Sequence, residues 1–141
     1  MLTFELVTLG GVKFDGEVYE VILPTPEGLI AVFANHASLV SITIPGVVSI
    51  RKHKQDSDNK MEHFAIHGGV VEVNKRRVRL LADEATHSDE VVHDEIKSAL
   101  ELAKKMKKSA KDQVSFEKAQ SLIEIYNAKL RVASLKKRHH R

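Results

Sequence analysis

The chain has no cysteine and no tryptophan. Without thiols there is no disulfide, no thiol nucleophile and no thiolate metal site, and the absence fits a reducing compartment. Aromatic residues are only 5% of 141 residues, so a core must be built from Val, Ile, Leu and Ala. No apolar run approaches the ~20 residues that span a bilayer. The start, Met1-Leu2-Thr3-Phe4-Glu5, has no basic stretch leading into an apolar one and is not rich in Arg and Ser, so neither a secretory signal nor a transit peptide is expected. Glycine stops at Gly69 and proline at Pro45, which leaves the last half of the chain without breakers.

Catalytic signatures are missing too. Gly10-Gly11 and Gly68-Gly69 lack the Lys-Ser/Thr that completes a phosphate loop. No nucleophile elbow occurs. The carboxylate pairs Asp83-Glu84 and Asp89-Glu90 fit helix capping better than acid–base catalysis. The basic tail Lys136-Lys137-Arg138 has no aromatic platform interleaved with it, which argues against nucleic-acid binding. The expectation is therefore a protein that is not an enzyme, with no cofactor and no metal.

What is present divides in two. The net charge of +3 conceals 9 basic and 11 acidic side chains in residues 1–87 against 13 basic and 8 acidic in residues 88–141. That split points to an acidic partner for the second part. Residues 1–82 alternate with period 2: Tyr19, Val21 and Leu23; Val48 and Ile50 against Val47, Ser49 and Arg51; Phe64 and Ile66 against His63, Ala65 and His67; Val78, Leu80 and Ala82 against Arg77 and Arg79. Such alternation puts one face in a core and the other in water. Asp15-Gly16 reads as a hairpin signal. Pro24-Thr25-Pro26-Glu27-Gly28 reads as a break, because proline cannot donate within a central strand. Pro45-Gly46, Gln55–Lys60, Gly68-Gly69 and Asn74-Lys75 read as further turns or loops. Many short strands predict an antiparallel sandwich or barrel.

After Asp83 the period changes. Val92, Ile96, Ala99, Ala103, Met106 and Ala110 form one helical stripe, and Phe116, Ala119, Ile123, Tyr126, Leu130 and Ala133 form a second. Thr86 or Ser88 is expected to cap the first helix and Ser115 the second. A link around residues 112–115 allows an antiparallel hairpin. The stripes are narrow and Ala-rich, so at ~25 cal/mol per Å² a lone hairpin is marginal and needs the sandwich or a partner. An element with two packing sites and a small free-energy gap is what a switch requires. Of eight histidines, His63 and His67 share a strand face without a third ligand, so they are expected to be solvated.

The segment Leu23-Pro24-Thr25-Pro26-Glu27-Gly28-Leu29-Ile30-Ala31-Val32-Phe33-Ala34-Asn35-His36-Ala37-Ser38-Leu39-Val40 resembles the LPTPEG-x-IGVLPNHAPLV stretch of F-type ATP synthase epsilon subunits. Ile44-Pro45-Gly46-Val47-Val48, His67-Gly68-Gly69-Val70-Val71-Glu72-Val73, Val78-Arg79-Leu80-Leu81-Ala82-Asp83 and Leu130-Arg131-Val132 continue the likeness in order. The resemblance implies a ten-stranded sandwich over residues 1–87 that binds γ and the c-ring, then a regulatory helix–loop–helix over residues 88–141. It implies a non-catalytic rotor subunit that couples proton or sodium translocation to ATP synthesis. Such a subunit inhibits hydrolysis when its helices extend into the α/β head. Peripheral attachment to the cytoplasmic face of a bacterial plasma (inner) membrane follows. Glu27, Leu29, Asn35, His36 and Ser38 become candidates for γ and c-ring contact; Lys129, Arg131, Lys136 and Lys137 become candidates for contact with the acidic β surface. Ala34 and Ser38 stand where the family usually has proline.

Some members bind ATP through a pattern like I/L-D-x-x-R-A. Here Asp94 is kept, Lys97 replaces Arg and Ser98 replaces Ala, while Ile125 and Lys129 occupy further positions of that site. Lysine does not reproduce a bidentate guanidinium contact. ATP is expected as at most a weak regulatory ligand of Asp94, Lys97 and Lys129. The alternative is a free-standing sandwich adaptor carrying a basic hairpin.

Overall fold

The computed structural model describes residues 1–139, with side chains to Leu135. Ten strands precede two helices: β1 (Leu2–Thr8), β2 (Gly11–Val18), β3 (Glu20–Thr25), β4 (Gly28–Phe33), β5 (Leu39–Thr43), β6 (Gly46–Arg51), β7 (Glu62–Ile66), β8 (Gly69–Val73), β9 (Arg77–Ala82), β10 (Ala85–His87), α1 (His93–Ser109) and α2 (Gln113–His139). They form two five-stranded sheets, ordered β2-β1-β9-β8-β5 and β10-β7-β6-β3-β4. All pairs are antiparallel except β1 with β9. The fold is a β-sandwich followed by a helical hairpin, as the two periodicities imply.

The core lies between the sheets. Leu2, Phe4 and Leu6 of β1 and Val78, Leu80 and Ala82 of β9 point inward, against Val21, Leu23, Ile50, Phe64 and Ile66 from the other sheet. Phe14 bridges the layers, its ring 5.7 Å from Phe4 and 6.4 Å from Phe64. At Gly69 the backbone of β9 lies so near that a Cβ would overlap the Leu81 carbonyl oxygen.

Several sequence expectations need correction. Asp15 and Gly16 lie inside β2, opposite Glu5 and Phe4, and the hairpin turns instead at Leu9-Gly10. Gly11, at φ +120, supplies the left-handed residue, and a register shift beyond Leu6 leaves Lys13 over as a bulge. Pro24 and Thr25 do not break β3; they belong to it. Proline is tolerated because β6 pairs only with Glu20, Val21 and Ile22, so no ladder partner calls for an N–H at Pro24. The Pro24 carbonyl still accepts from Ile44 N–H at 3.1 Å.

The caps differ as well. Residues Ser88–Glu90 form a 3-10 turn closed by His87, whose Nδ1 accepts from Asp89 N–H while its own N–H donates to Glu90. Helix α1 starts only at His93, after Val92, with no side-chain cap. Asp112, rather than Ser115, caps α2, accepting from Ser115 N–H at 2.7 Å. That backbone bond, with help from the Ser115 hydroxyl, holds the Asp112 carboxyl below the usual carboxylate range. The cap is therefore present at neutral pH and is lost as pH falls through the depressed value.

The largest correction concerns the outward face of β6 and β7. It is not in water. Val47 and Ala65 are buried beneath Ala128 and Val132 of α2, with Val91 and Leu135 at the margin. Helix α2 thus carries two seams, one towards α1 and one towards the sheet, while α1 rests mainly on α2. In α1 the buried residues are Leu100 and Ala103, whereas Val92 and Met106 stay exposed. His63 is also buried, at 7% exposure, and its Nδ1 lies 2.8 Å from the Ser49 hydroxyl.

Candidate functional site

The helices pack on one sheet and leave the outer face of the other uncovered. Across that face runs an apolar row. Ile42 of β5 stands opposite Val70 of β8, Val70 opposite Leu81 of β9, Leu81 opposite Val7 of β1, and Val7 opposite Val12 of β2. Exposure runs from 41% for Val70 to 63% for Val12, with Val7 less exposed. Directly beside it lies a second row, charged over four strands: Glu72 opposite Arg79, Arg79 opposite Glu5, Glu5 opposite Asp15. Arg79 Nε is 3.1 Å from Glu5 Oε1. Scattered exposed apolar residues are ordinary, but a continuous strip across five strands marks an interaction surface. The sequence reading missed it, because it assigned the outward positions to water. The signal was available in the doublets Val70-Val71 and Leu80-Leu81, where two neighbours of a strand cannot both face the core.

The candidate contact residues fall at two places. Glu27 lies in the tight turn between β3 and β4, and Leu29 just after it. Asn35, His36 and Ser38 lie in the β4–β5 loop, beyond the far end of β4. A six-residue strand spans ~20 Å, so the two groups are not one site. Asn35 has φ +66, and its N–H donates to the Lys75 carbonyl at 2.7 Å, which pins the loop to the β8–β9 turn. Ser38 lines a hollow of about 570 Å³ with Asn74, Lys75, Arg76 and Arg77. This end of the sandwich is basic; the opposite end carries Glu27, Asp83 and Glu84.

The hairpin residues are also dispersed. Lys129 is turned to the sandwich, with its ammonium 3.1 Å from Glu84 Oε1 and 6.0 Å from the Tyr126 ring. Arg131 is exposed, and the side chains of Lys136 and Lys137 lie outside the described residues. Asp94 and Lys97 are exposed on the first turns of α1. Among the described residues, no hydrogen bond or ion pair joins Asp94 to Lys97 or Lys129, and no group of three His, Cys, Asp or Glu could hold a metal ion. A cleft of about 630 Å³ between the helices is lined by Glu101, Lys104, Lys107, Phe116 and Ile123, among others, and neither Asp94 nor Lys97 borders it. No described helix is long and apolar enough to cross a membrane.

Residues 1–88 match the family described as "ATP synthase, Delta/Epsilon chain, beta-sandwich domain". The ATP synthase epsilon chain of Dichelobacter nodosus is 32% identical over 105 residues, covering 74% of this chain and 71% of that one. The ATP synthase epsilon chain of Brucella anthropi is 31% identical over 102 residues, covering 72% and 73%. In structure, the chain is similar to one in the Euglena gracilis mitochondrial ATP synthase, solved as OSCP/F1/c-ring in rotational state 1. The TM-score is 0.81 at 24% identity, over 94% of this chain and 81% of that one. A chain of the central stalk/c-ring of the Tetrahymena thermophila mitochondrial ATP synthase gives 0.61 at 16% identity, over 92% and 96%. At these identities the two structures speak for the fold alone, and membership rests on the sandwich match and the curated relatives: the chain belongs to the ATP synthase delta/epsilon chain family.

Proposed function

We propose that the chain is the epsilon-type subunit of an F-type ATP synthase rotor, a non-catalytic part that couples ion translocation, by protons or sodium, to ATP synthesis. The observation that carries this reading is the uncovered apolar row Ile42–Val70–Leu81–Val7–Val12, on the domain that matches the family. The γ subunit is the partner for that row. Loop residues Asn35, His36 and Ser38 lead directly into β5 of the same sheet and extend the γ contact. Glu27 and Leu29, at the other end of β4, then face the polar loops of the c-ring. Attachment to the cytoplasmic face of a bacterial inner membrane is indirect, through these partners.

The test is recovery of the tagged full chain from native membranes under mild solubilisation. A γ subunit and a c-ring are expected in stoichiometric company. Recovery of the chain without γ under every condition tried would leave the free-standing adaptor as the better reading.

The hairpin is the regulatory half of this proposal. Docked on β6 and β7 it is compact; extended towards the α/β head it restrains hydrolysis. Nucleotide plays at most a weak part. Asp94 and Lys97 are exposed without converging on a cleft, and Lys129 is engaged by Glu84. Calorimetric titration of the chain with ATP is expected to give millimolar affinity or weaker, roughly −4 kcal/mol. Micromolar binding that is lost in Asp94→Ala would overturn that part.

A further inference from the structure

A sandwich has four edge strands, and here they are treated unequally. Strand β2 is protected: Lys13, Asp15 and Glu17 are exposed along it, and it is bulged. Strand β10 is only three residues long and runs straight into the 3-10 turn. Charge, bulges and shortness are the devices by which native edges avoid pairing with foreign strands. Strands β4 and β5 have none of them. Their sequences, GLIAVF and LVSIT, carry no charged residue and no proline. They are the open edges of the two sheets, joined by one loop, so they share a corner.

The direction of the free backbone groups on β4 follows from Pro24. Its carbonyl is bonded to Ile44, away from β4, and it has no N–H, so Pro24 and Leu29 are a non-hydrogen-bonded pair of the β3–β4 ladder. By alternation so are Ile22 with Ala31 and Glu20 with Phe33. The N–H and C=O groups of Leu29, Ala31 and Phe33 therefore point out of the open edge, while Ile30 and Val32 bond to β3. Leu29 is 68% and Phe33 40% exposed. A crevice of about 250 Å³ separates the edge from β5, with Ile30 and Leu39 in its lining.

We propose that β4 is a strand-addition site, and that its occupant is an extended segment of another subunit of the same complex. That segment is uncharged over about five residues and apolar at alternate positions, the pattern by which added strands gain affinity from the backbone and specificity from alternate side chains. Its backbone pairs with Leu29, Ala31 and Phe33, and an inward-facing apolar side chain fills the crevice over Ile30 and Leu39. The uncharged edge complements an uncharged strand; a charged one would be desolvated there without a counter-charge. The choice of complex rests on the proposed function; the open edge does not.

Amide hydrogen exchange over residues 28–33 tests it, comparing the isolated full chain with the chain in the ATP synthase recovered from native membranes. Three amides, those of Leu29, Ala31 and Phe33, are expected to exchange freely in isolation and to slow about 100-fold or more in the complex. Ala31→Pro removes the central donor at a position not bonded to β3, and Ala31→Lys adds the missing charge on an exposed side chain. Either is expected to restore fast exchange at Leu29 and Phe33 in the complex and to lower incorporation about tenfold against wild type in competition. Should the proline variant fold poorly, the lysine variant decides. If the three amides stay fast in an intact complex, the site is refuted while the assignment to the rotor stands. If they slow in the isolated chain as its concentration rises, a second copy is the occupant and the proposal is overturned. If no complex is recovered, it falls with the proposed function.

Discussion

Replacing Val70 and Leu81 together by Asp is expected to abolish recovery of γ with the chain while leaving the sandwich folded. The two residues face each other across β8 and β9, point away from the core and are 41% and 46% exposed. In the isolated chain the new carboxylates stay hydrated, so each substitution costs on the order of 0.5 kcal/mol, plus a modest cross-strand repulsion. In an interface they are buried beside Ile42 and Val7 without a cation. The neighbouring Arg79 is already held by Glu5. An uncompensated buried charge costs several kcal/mol, and 4 kcal/mol is already about a thousandfold in affinity. Thermal unfolding followed by circular dichroism should show a midpoint within a few degrees of wild type, and co-purified γ should fall below detection. Val70→Thr, which keeps the shape and stays neutral, should retain γ. Undiminished recovery of γ with the double variant would mean that the row is not the γ surface.

How much of this was legible beforehand depends on which residues carried two meanings. The core of β9 was plain, because Val78, Leu80 and Ala82 alternate against two arginines and only one face can be dry. Residues Val47 and Ala65 were misleading: small and outward on their strands, they share that face with Ser49 and Arg51 and with His63 and His67, polar neighbours that mark it as wet. Only α2 decides, and it packs with Ala128, Val132 and Leu135 at spacings of 4 and 3, a stripe that lies on the same helix as the one already read towards α1. A helix sandwiched between two layers shows two stripes, and reading one hides the other. Asp15-Gly16 failed for a different reason. The doublet carries a turn propensity, but Gly10-Gly11 sits nearer the register that puts Phe4 and Leu6 inward, and burial of those side chains outweighs a local preference. The candidate contact residues were found by likeness to a family motif contiguous in sequence. A strand inside that motif separates Glu27 and Leu29 from Asn35 and His36, which no spacing rule reveals until β4 is known to run straight between them.

Truncation after Glu90 is expected to leave a folded, assembling sandwich and to raise ATP hydrolysis by the reconstituted enzyme at least about fivefold, the low end of ordinary coupling free energies. The cut belongs there because the 3-10 turn Ser88–Glu90 and its His87 cap close the last strand, and Ser88 is itself buried. What the deletion exposes is small: Val47 and Ala65 lose the cover of Ala128 and Val132, while the core between the sheets is untouched. A docking seam made of two alanines and two valines, with Val91 and Leu135 at its edge, is thin enough for release by a competing surface of modest affinity. The basic residues then divide by role. Arg131, Lys136 and Lys137 are the candidates for the acidic β surface. Neutralising these three is expected to raise hydrolysis in part, most clearly at low salt, because exposed charges are screened beyond ~8 Å at physiological ionic strength. Lys129 holds Glu84 in the compact form, so Lys129→Gln loosens the docked helix as well as any extended contact. The two effects oppose one another, and the single variant should change hydrolysis far less than the triple one. Equal rates for full-length and truncated chains at every salt and nucleotide concentration would make the hairpin a passive appendage, its positive charge no more than a solvated face.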